Sequence, residues 1–313
     1  MLTPLSHKLT SLCLILCAVV LLGTAAQAQV GPVVPTNFPN DLAPGSVLFF
    51  GRYTSSAVSP SLEDTQISIT NTHPTQSISV HMYMVDGGSC SIADSYIELT
   101  GSQTSYFLAS DFDPGVRGYI VAVATSGGYP TQHNYLLGVV NLKESDGRQA
   151  EIPAVAVVKK TAGPAIDGGD GTAIMRFDGI QYCQLPAVVA VSAFNSQTTD
   201  NTVVTMFSPS SDLMVGESSP SVSVFGIMYN DLEVSRSLTL KLTCHSQFSL
   251  KSLRVLNGID NFIPRGRTGW VKFYASGRPL LGISTNKGQQ FTGGRNLSVL
   301  TLYPTWDIKV PAF

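Results

Sequence analysis

The chain has 313 residues, enough for one large or two ordinary domains. Charged residues make up only 13% and the net charge is −2, which excludes a global positive field for holding nucleic acid or anionic lipid. Hydrophobic residues at 43% supply a packed core and exclude disorder of the chain as a whole.

Met1 to Ala28 reads as a secretory signal peptide. Lys8 supplies the charge, Leu9 to Leu22 the apolar segment, and Ala26-Gln27-Ala28 a small-x-small cleavage pattern before Gln29. The apolar run is short for a membrane span and ends in that pattern, so a retained anchor is the weaker reading. Cys13 and Cys17 follow Leu12 and Leu16, which is not a lipidation setting. The mature chain is expected to carry no transmembrane segment and to be secreted, periplasmic or displayed at the cell surface.

A Pro-rich lead over 29–44 precedes short apolar runs separated by turn chemistry. Ser46 to Phe50 forms the first strand. Thr65 to Thr70 and Ser77 to Val85 each alternate with period two around the Asn71–Gln76 turn, which predicts an antiparallel hairpin. Further strands are predicted over 95–99, 103–108, 118–124 and 135–142, and 152–160 is β-branched and reads as a strand too. The Gly-rich stretch 162–172, with Asp167-Gly168-Gly169-Asp170-Gly171, reads as a linker; its carboxylates suit calcium, but the ligand spacing of a calcium loop is missing.

The second half continues with strands over 188–194, 202–207, 222–229, 237–243 and 248–256. It also repeats an order of motifs. Phe112-Asp113-Pro114-Gly115, Gly118-Tyr119-Ile120-Val121 and Leu136-Leu137-Gly138-Val139 correspond to Phe262-Ile263-Pro264-Arg265, Gly269-Trp270-Val271-Lys272 and Leu280-Leu281-Gly282-Ile283. The pattern predicts an all-β chain of two tandem immunoglobulin-like antiparallel β-sandwich domains, 45–161 and 173–313, after the signal peptide and lead. The alternating segment Ile67 to Met84 and the run Gly269 to Leu280 resemble secreted bacterial β-sandwich proteins of uncharacterised function. That resemblance implies export and sandwich architecture, and carries no catalytic or binding residue onto this chain.

Three cysteines remain after the signal peptide. Cys183 and Cys244 share one half of the chain and are the candidate disulfide, with Cys90 apart; three unpaired thiols are the alternative. No metal site is predicted: there is no Cys-x-x-Cys, and Cys244 and His245 are adjacent, so on a strand they point to opposite faces. No Gly-x-Ser-x-Gly, His-Glu-x-x-His or Gly-rich phosphate loop occurs, so no cofactor is predicted.

Binding is therefore the expected mode of action, through a structural, adhesive or recognition role at the bacterial cell exterior. Tyr129 and Tyr135 mark the Ser126–Asn134 loop with flat faces for stacking, and His133 adds a hydrogen-bonding ring. Arg265 and Arg267, with Lys272 and Arg278, form a basic cluster suited to an acidic glycan or an extracellular protein. The alternative is a secreted carbohydrate-active hydrolase, whose two carboxylates need no local motif. An outer-membrane barrel is disfavoured because Asp307, Lys309 and Pro311 break the outward apolar alternation of a last barrel strand.

Overall fold

The computed structural model describes residues 37–198, 200–216, 221–255, 258–288 and 291–312. The segment read as a signal peptide, with its expected cleavage site, lies outside the described residues, as does the lead up to residue 36. Residues Asn37–Phe313 form one compact unit. It is all-β, 57% strand and 4% helix, arranged in five small sheets.

Sheet I runs in the order β10 (Val155–Val157), β1 (Val47–Thr54), β6 (Arg117–Ser126), β3 (Ile78–Asp86), β4 (Ile92–Leu99), with the short β7 (Tyr129–Pro130) on β6. Sheet II is β5 (Thr104–Leu108), β2 (Asp64–Asn71), β8 (Leu136–Lys143), β9 (Gln149–Pro153). Sheet III joins β11 (Ile166–Gly169) and β12 (Thr172–Phe177) to β22 (Trp306–Pro311). Sheet IV is β16 (Ser235–Leu242), β15 (Val222–Asn230), β18 (Thr268–Ala275), β13 (Pro186–Asn195), β21 (Ser298–Leu302). Sheet V is β17 (His245–Ser249), β14 (Asn201–Phe207), β19 (Leu281–Lys287), β20 (Thr292–Asn296). Two one-turn helices, α1 (Ala109–Phe112) and α2 (Ile259–Phe262), precede β6 and β18.

Two tandem immunoglobulin-like sandwich domains are not what the chain forms. Five sheets are present, and the fifth, sheet III, is built from the stretch read as a linker together with the C-terminus. Asp167 to Gly171 forms a hairpin turn there, with Gly169 and Gly171 at positive φ. The cores also cross the expected boundary. One apolar cluster fills the space between sheets I and II and takes in Ile283 from β19. A second covers the opposite face of sheet I, where Val47, Phe49 and Val121 meet Met175 and Ile308 of sheet III, and Phe207 and Leu281 of sheet V. A third lies between sheets IV and V.

The predicted hairpin is also corrected. The strands at 65–70 and 77–85 exist, but β2 pairs with β5 and β8 whereas β3 pairs with β4 and β6. Asn71 organises the crossing between the two sheets: its Nδ2 donates to the Gln76 and Thr100 carbonyls, and its Oδ1 accepts from the His73 backbone N–H. Period-two alternation reports a half-buried strand and is silent about which strand lies beside it.

The motif repeat has a structural counterpart. Reading β1, β2, β3, β4, β5, β6, β8, β9 and β10 onto β13, β14, β15, β16, β17, β18, β19, β20 and β21 reproduces the order of sheets I and II in sheets IV and V. Even the irregularities coincide: β1 slips register against β6 between Phe50 and Tyr53, and β13 against β18 between Val191 and Phe194.

The disulfide joins Cys90 to Cys244, Cα–Cα 5.5 Å, rather than Cys183 to Cys244. Cys90 sits in the turn after β3 and Cys244 in the turn between β16 and β17, and β17 packs against the first half through His245. Cys183 is buried with Phe177 and Leu185 in the cluster beside sheet III, where its N–H donates to the Val158 carbonyl. Sharing half of the sequence is no guide when the halves interlock. Peptide mapping under non-reducing conditions is expected to join the Cys90 and Cys244 peptides. Cys90→Ser is expected to lower stability by up to about 5 kcal/mol, since the bridge closes 154 residues, while Cys183→Ser spares the bridge.

Candidate functional site

A cavity of about 590 Å³ opens where β17 of the second half meets β1 and β6 of the first. Arg52, Glu63, Asp86, Arg117, His245 and Gln247 are on its wall. A neighbouring cavity of about 320 Å³ shares Arg52, Glu63, Arg117 and Gln247 and adds Glu144 and Arg148. In a chain this poor in charge, such a concentration calls for a physical account.

Asp86 accepts from the Gly88 and Ser89 backbone N–H groups of its own turn, and the other charges are paired. Arg52 projects from the all-buried β1, and its Nε donates to Glu144 Oε1 at 2.8 Å. Arg148 Nη1 lies 2.8 Å from Asp146 and 3.7 Å from Glu144. Glu63, just before β2, accepts from Arg117 Nε and Nη2 at 2.9 and 3.0 Å, and from the Thr54 hydroxyl. Burial pushes the Glu63 carboxyl up, but hydrogen bonds from Thr54 and Ser145 and the charge of Arg117 outweigh it and hold the carboxyl below its usual range. Burial lowers the Arg52 guanidinium, against the opposing pull of Glu144.

His245 is sealed at the seam, with Nε2 3.3 Å from the Gly51 carbonyl. Burial, and then the charge of Arg52, pushes its pKa down to about 3. Gly87 is required opposite it, because a Cβ there would stand 2.9 Å from the Arg117 carbonyl oxygen and 3.0 Å from the His245 ring.

The residues singled out from the sequence lie elsewhere and do not form one site. Tyr129 and Tyr135 are exposed, at 50% and 42%. His133 is buried; its Nε2 is 2.8 Å from Asn71 Oδ1 and its ring centroid 5.2 Å from that of Tyr135. It braces the crossing at Asn71. Arg265 is exposed on the turn after α2, and Arg267 pairs with Asp231 at 2.9 Å. The Arg52–Glu144 and Glu63–Arg117 pairs escape sequence reasoning because their partners are 92 and 54 residues apart. The one available signal is Arg52, a charge inside the apolar run Val47–Thr54.

No family model and no curated protein matches the chain. Among solved structures, a Thermotoga maritima protein is similar over 35% of this chain and 90% of its own, at 9% identity and a TM-score of 0.27. Vicilin from Capsicum annuum is similar over 81% and 75%, at 8% identity and 0.19. A chemokine-binding protein of rodent gammaherpesvirus Peru is similar over 85% and 88%, at 8% identity and 0.21. Scores this low amount to a generic all-β likeness and carry neither fold nor function onto this chain. No helix among the described residues is long and apolar enough to cross a membrane.

The His245 environment has a consequence in acid. Folded, the ring stays neutral down to about pH 3, whereas the unfolded chain takes up a proton near pH 6.5. The stability this confers is complete above pH 6.5 and is lost as pH falls, at about 1.4 kcal/mol per unit. Urea titration is expected to show about 2 kcal/mol less stability at pH 5 than at pH 7 from this ring. His81 and His133, also lowered by burial, act in the same direction. His245→Gln is expected to flatten the pH dependence.

Proposed function

We propose that this is an exported protein that acts by binding or structural display outside the cytoplasm, without catalysis. One observation carries the reading: in the cleft of about 590 Å³, Arg52, Glu63 and Arg117 are committed to ion pairs and Asp86 to its own turn. A glycosidase acid must keep its proton near neutral pH, which needs a raised pKa. Glu63 is held low, and Glu144 lies between Arg52 and Arg148. A general base needs an accessible lone pair, and among the described imidazoles Nδ1 of His73 accepts from backbone N–H groups, Nδ1 of His81 faces the Tyr83 hydroxyl, and His133 and His245, which donate Nε2–H to Asn71 and Gly51, are buried.

What such a chain offers a partner is its exposed loops. Tyr129 and Tyr135 present flat faces beside a rigid crossing, the arrangement suited to a glycan or a protein surface. Tyr129→Ala with Tyr135→Ala is expected to weaken capture of intact surface polysaccharide several-fold in a biolayer assay, with the melting temperature nearly unchanged. His133→Ala is expected to lower that temperature instead. Hydrolysis of a polysaccharide or ester by the purified protein, abolished by Glu63→Gln or by Asp86→Asn, would overturn the non-catalytic reading.

A further inference from the structure

The two halves repeat one strand plan, so each position has an internal counterpart, and the end of the sheet-pair where β2 and β14 begin differs between them. In the first half the space between the sheets at that end is filled. The core-facing residues of β8 are Val140 and Leu142, each 1% exposed, and those of β9 are Ala150 and Ile152. Arg52 and Glu144 pair at the rim, where they line the cavities described above, and Glu63 is neutralised by Arg117 and Thr54.

The pairing registers place the counterparts in the second half. Ile67 faces Val140 and Thr65 faces Leu142; likewise Val204 faces Ser284 and Thr202 faces Asn286. Val140 and Leu142 are thus replaced by Ser284 and Asn286, on the strand face that continues the core of Val204 and Met206. Ala150 and Ile152, which pair with Leu142 and Val140, become Gly293 and Arg295. By the same alignment Arg52 becomes Ala193, Glu144 becomes Gly288, Glu63 becomes Asp200, and Arg117 becomes Thr268. The apolar plug and its ion pair are both gone.

A cavity of about 320 Å³ occupies the vacated space, walled by Asn195, Asp200, Thr202, Ser284, Asn286 and Arg295 over Val191 and Phe194. Arg295 Nη2 donates to the Ala193 carbonyl and Thr202 accepts from Gln197, while other polar groups keep free valence. Asp200, 7% exposed, accepts from Asn195 Nδ2 at 2.6 Å through Oδ2, and its Oδ1 has no partner among the described residues. Ser284 and Asn286 make no side-chain hydrogen bond among the described residues, although Ser284 is only 5% exposed. Beside them lies the Phe291 ring, 48% exposed. A Cβ added at Gly288 would collide with that ring and stand 3.0 Å from Asp200 Oδ1, so ring and carboxylate share one rim.

We propose that this mouth between sheets IV and V is a subsite for one neutral sugar ring. Carboxylate, amide, hydroxyl and guanidinium groups converging on one small space answer the alternating donors and acceptors of adjacent hydroxyls. The Phe291 face suits the apolar C–H side of a pyranose. Asp200 and Arg295 balance in charge, which favours a neutral ligand over an acidic one. The inference rests on the binding reading above but concerns a different surface, so each fails on its own result.

The test is saturation-transfer NMR of the full-length mature protein with the methyl glycosides of glucose, galactose and mannose, each at millimolar concentration. At least one is expected to receive saturation from the protein. Ser284→Val with Asn286→Leu, which copies the filled first half, is expected to abolish the transfer with the fold retained by circular dichroism. Asp200→Asn, a smaller change, is expected to weaken binding about tenfold, the size of one charge-assisted hydrogen bond. Silence with all three glycosides, or transfer that persists in both variants, overturns the subsite. Saturation of free amino acids in place of the glycosides, lost in the same variants, overturns the sugar assignment. Loss of polysaccharide capture in the Tyr129 and Tyr135 variant leaves the glycoside result unaffected, and hydrolysis by the protein would sink the non-catalytic reading alone.

Discussion

Burial of the central strands of sheet I on both faces is the constraint from which the rest of the structure follows. Each residue of β1 from Val47 to Thr54 is buried, as are Gly118 to Thr125 of β6. Strands with no solvated face need a layer on each side, and sheet II supplies only one. The other must come from chain beyond residue 161, which is why sheet III and parts of sheet V close over Phe49, Tyr83 and Tyr119. Tyr119 stacks on Phe207 with ring centroids 4.1 Å apart, and its hydroxyl accepts from the Ser210 N–H at 3.0 Å. Neither half can bury its surface alone, and the Cys90–Cys244 bridge crosses the same seam.

Much of the strand content was legible in the sequence, because alternation and turn residues act over a few positions. Thr65 to Thr70, Ser77 to Val85, Val188 to Phe194 and Val222 to Tyr229 each lie within or nearly within a strand of the fold. Partnership was not legible. Strands β2 and β3 are six residues apart in sequence yet belong to different sheets, since Asn71 offers the crossing backbone the hydrogen bonds a hairpin would otherwise supply. The motif order seen in both halves did mark a real duplication of strand plan. What it could not convey was that Asp167 to Gly171, polar and Gly-rich, turns a hairpin onto the C-terminal strand.

The candidate sites show the same division. Exposed aromatic residues on a loop, such as Tyr129 and Tyr135, can be picked out from sequence because loops lie at the surface. His133, three residues before Leu136, was picked for its chemistry and proves to be a brace. Arg52 is 92 residues from Glu144, a pairing that leaves no local pattern, although Glu144 and Arg148 share one turn. Arg52 could have been flagged as a charge in a strand with no polar face, where an unmatched guanidinium would carry a severe desolvation penalty.

The two halves differ in how each fills the space between its sheets. The first half lends sheet I to the interface, and at its far end the space between the sheets is filled by apolar residues with ion pairs at the rim. The second half lacks that filling at its own end. Replacing a Val–Leu pair by Ser284 and Asn286 forgoes burial worth about 1.5–3 kcal/mol per side chain. That cost is borne locally, beyond Val204 and Met206, while Phe273, Val271 and Leu280 keep the core between sheets IV and V intact. A duplicated scaffold can therefore keep one copy closed for stability and leave the other open. Polar residues on core-facing positions, unaccompanied by partners, are the physical mark of the open copy.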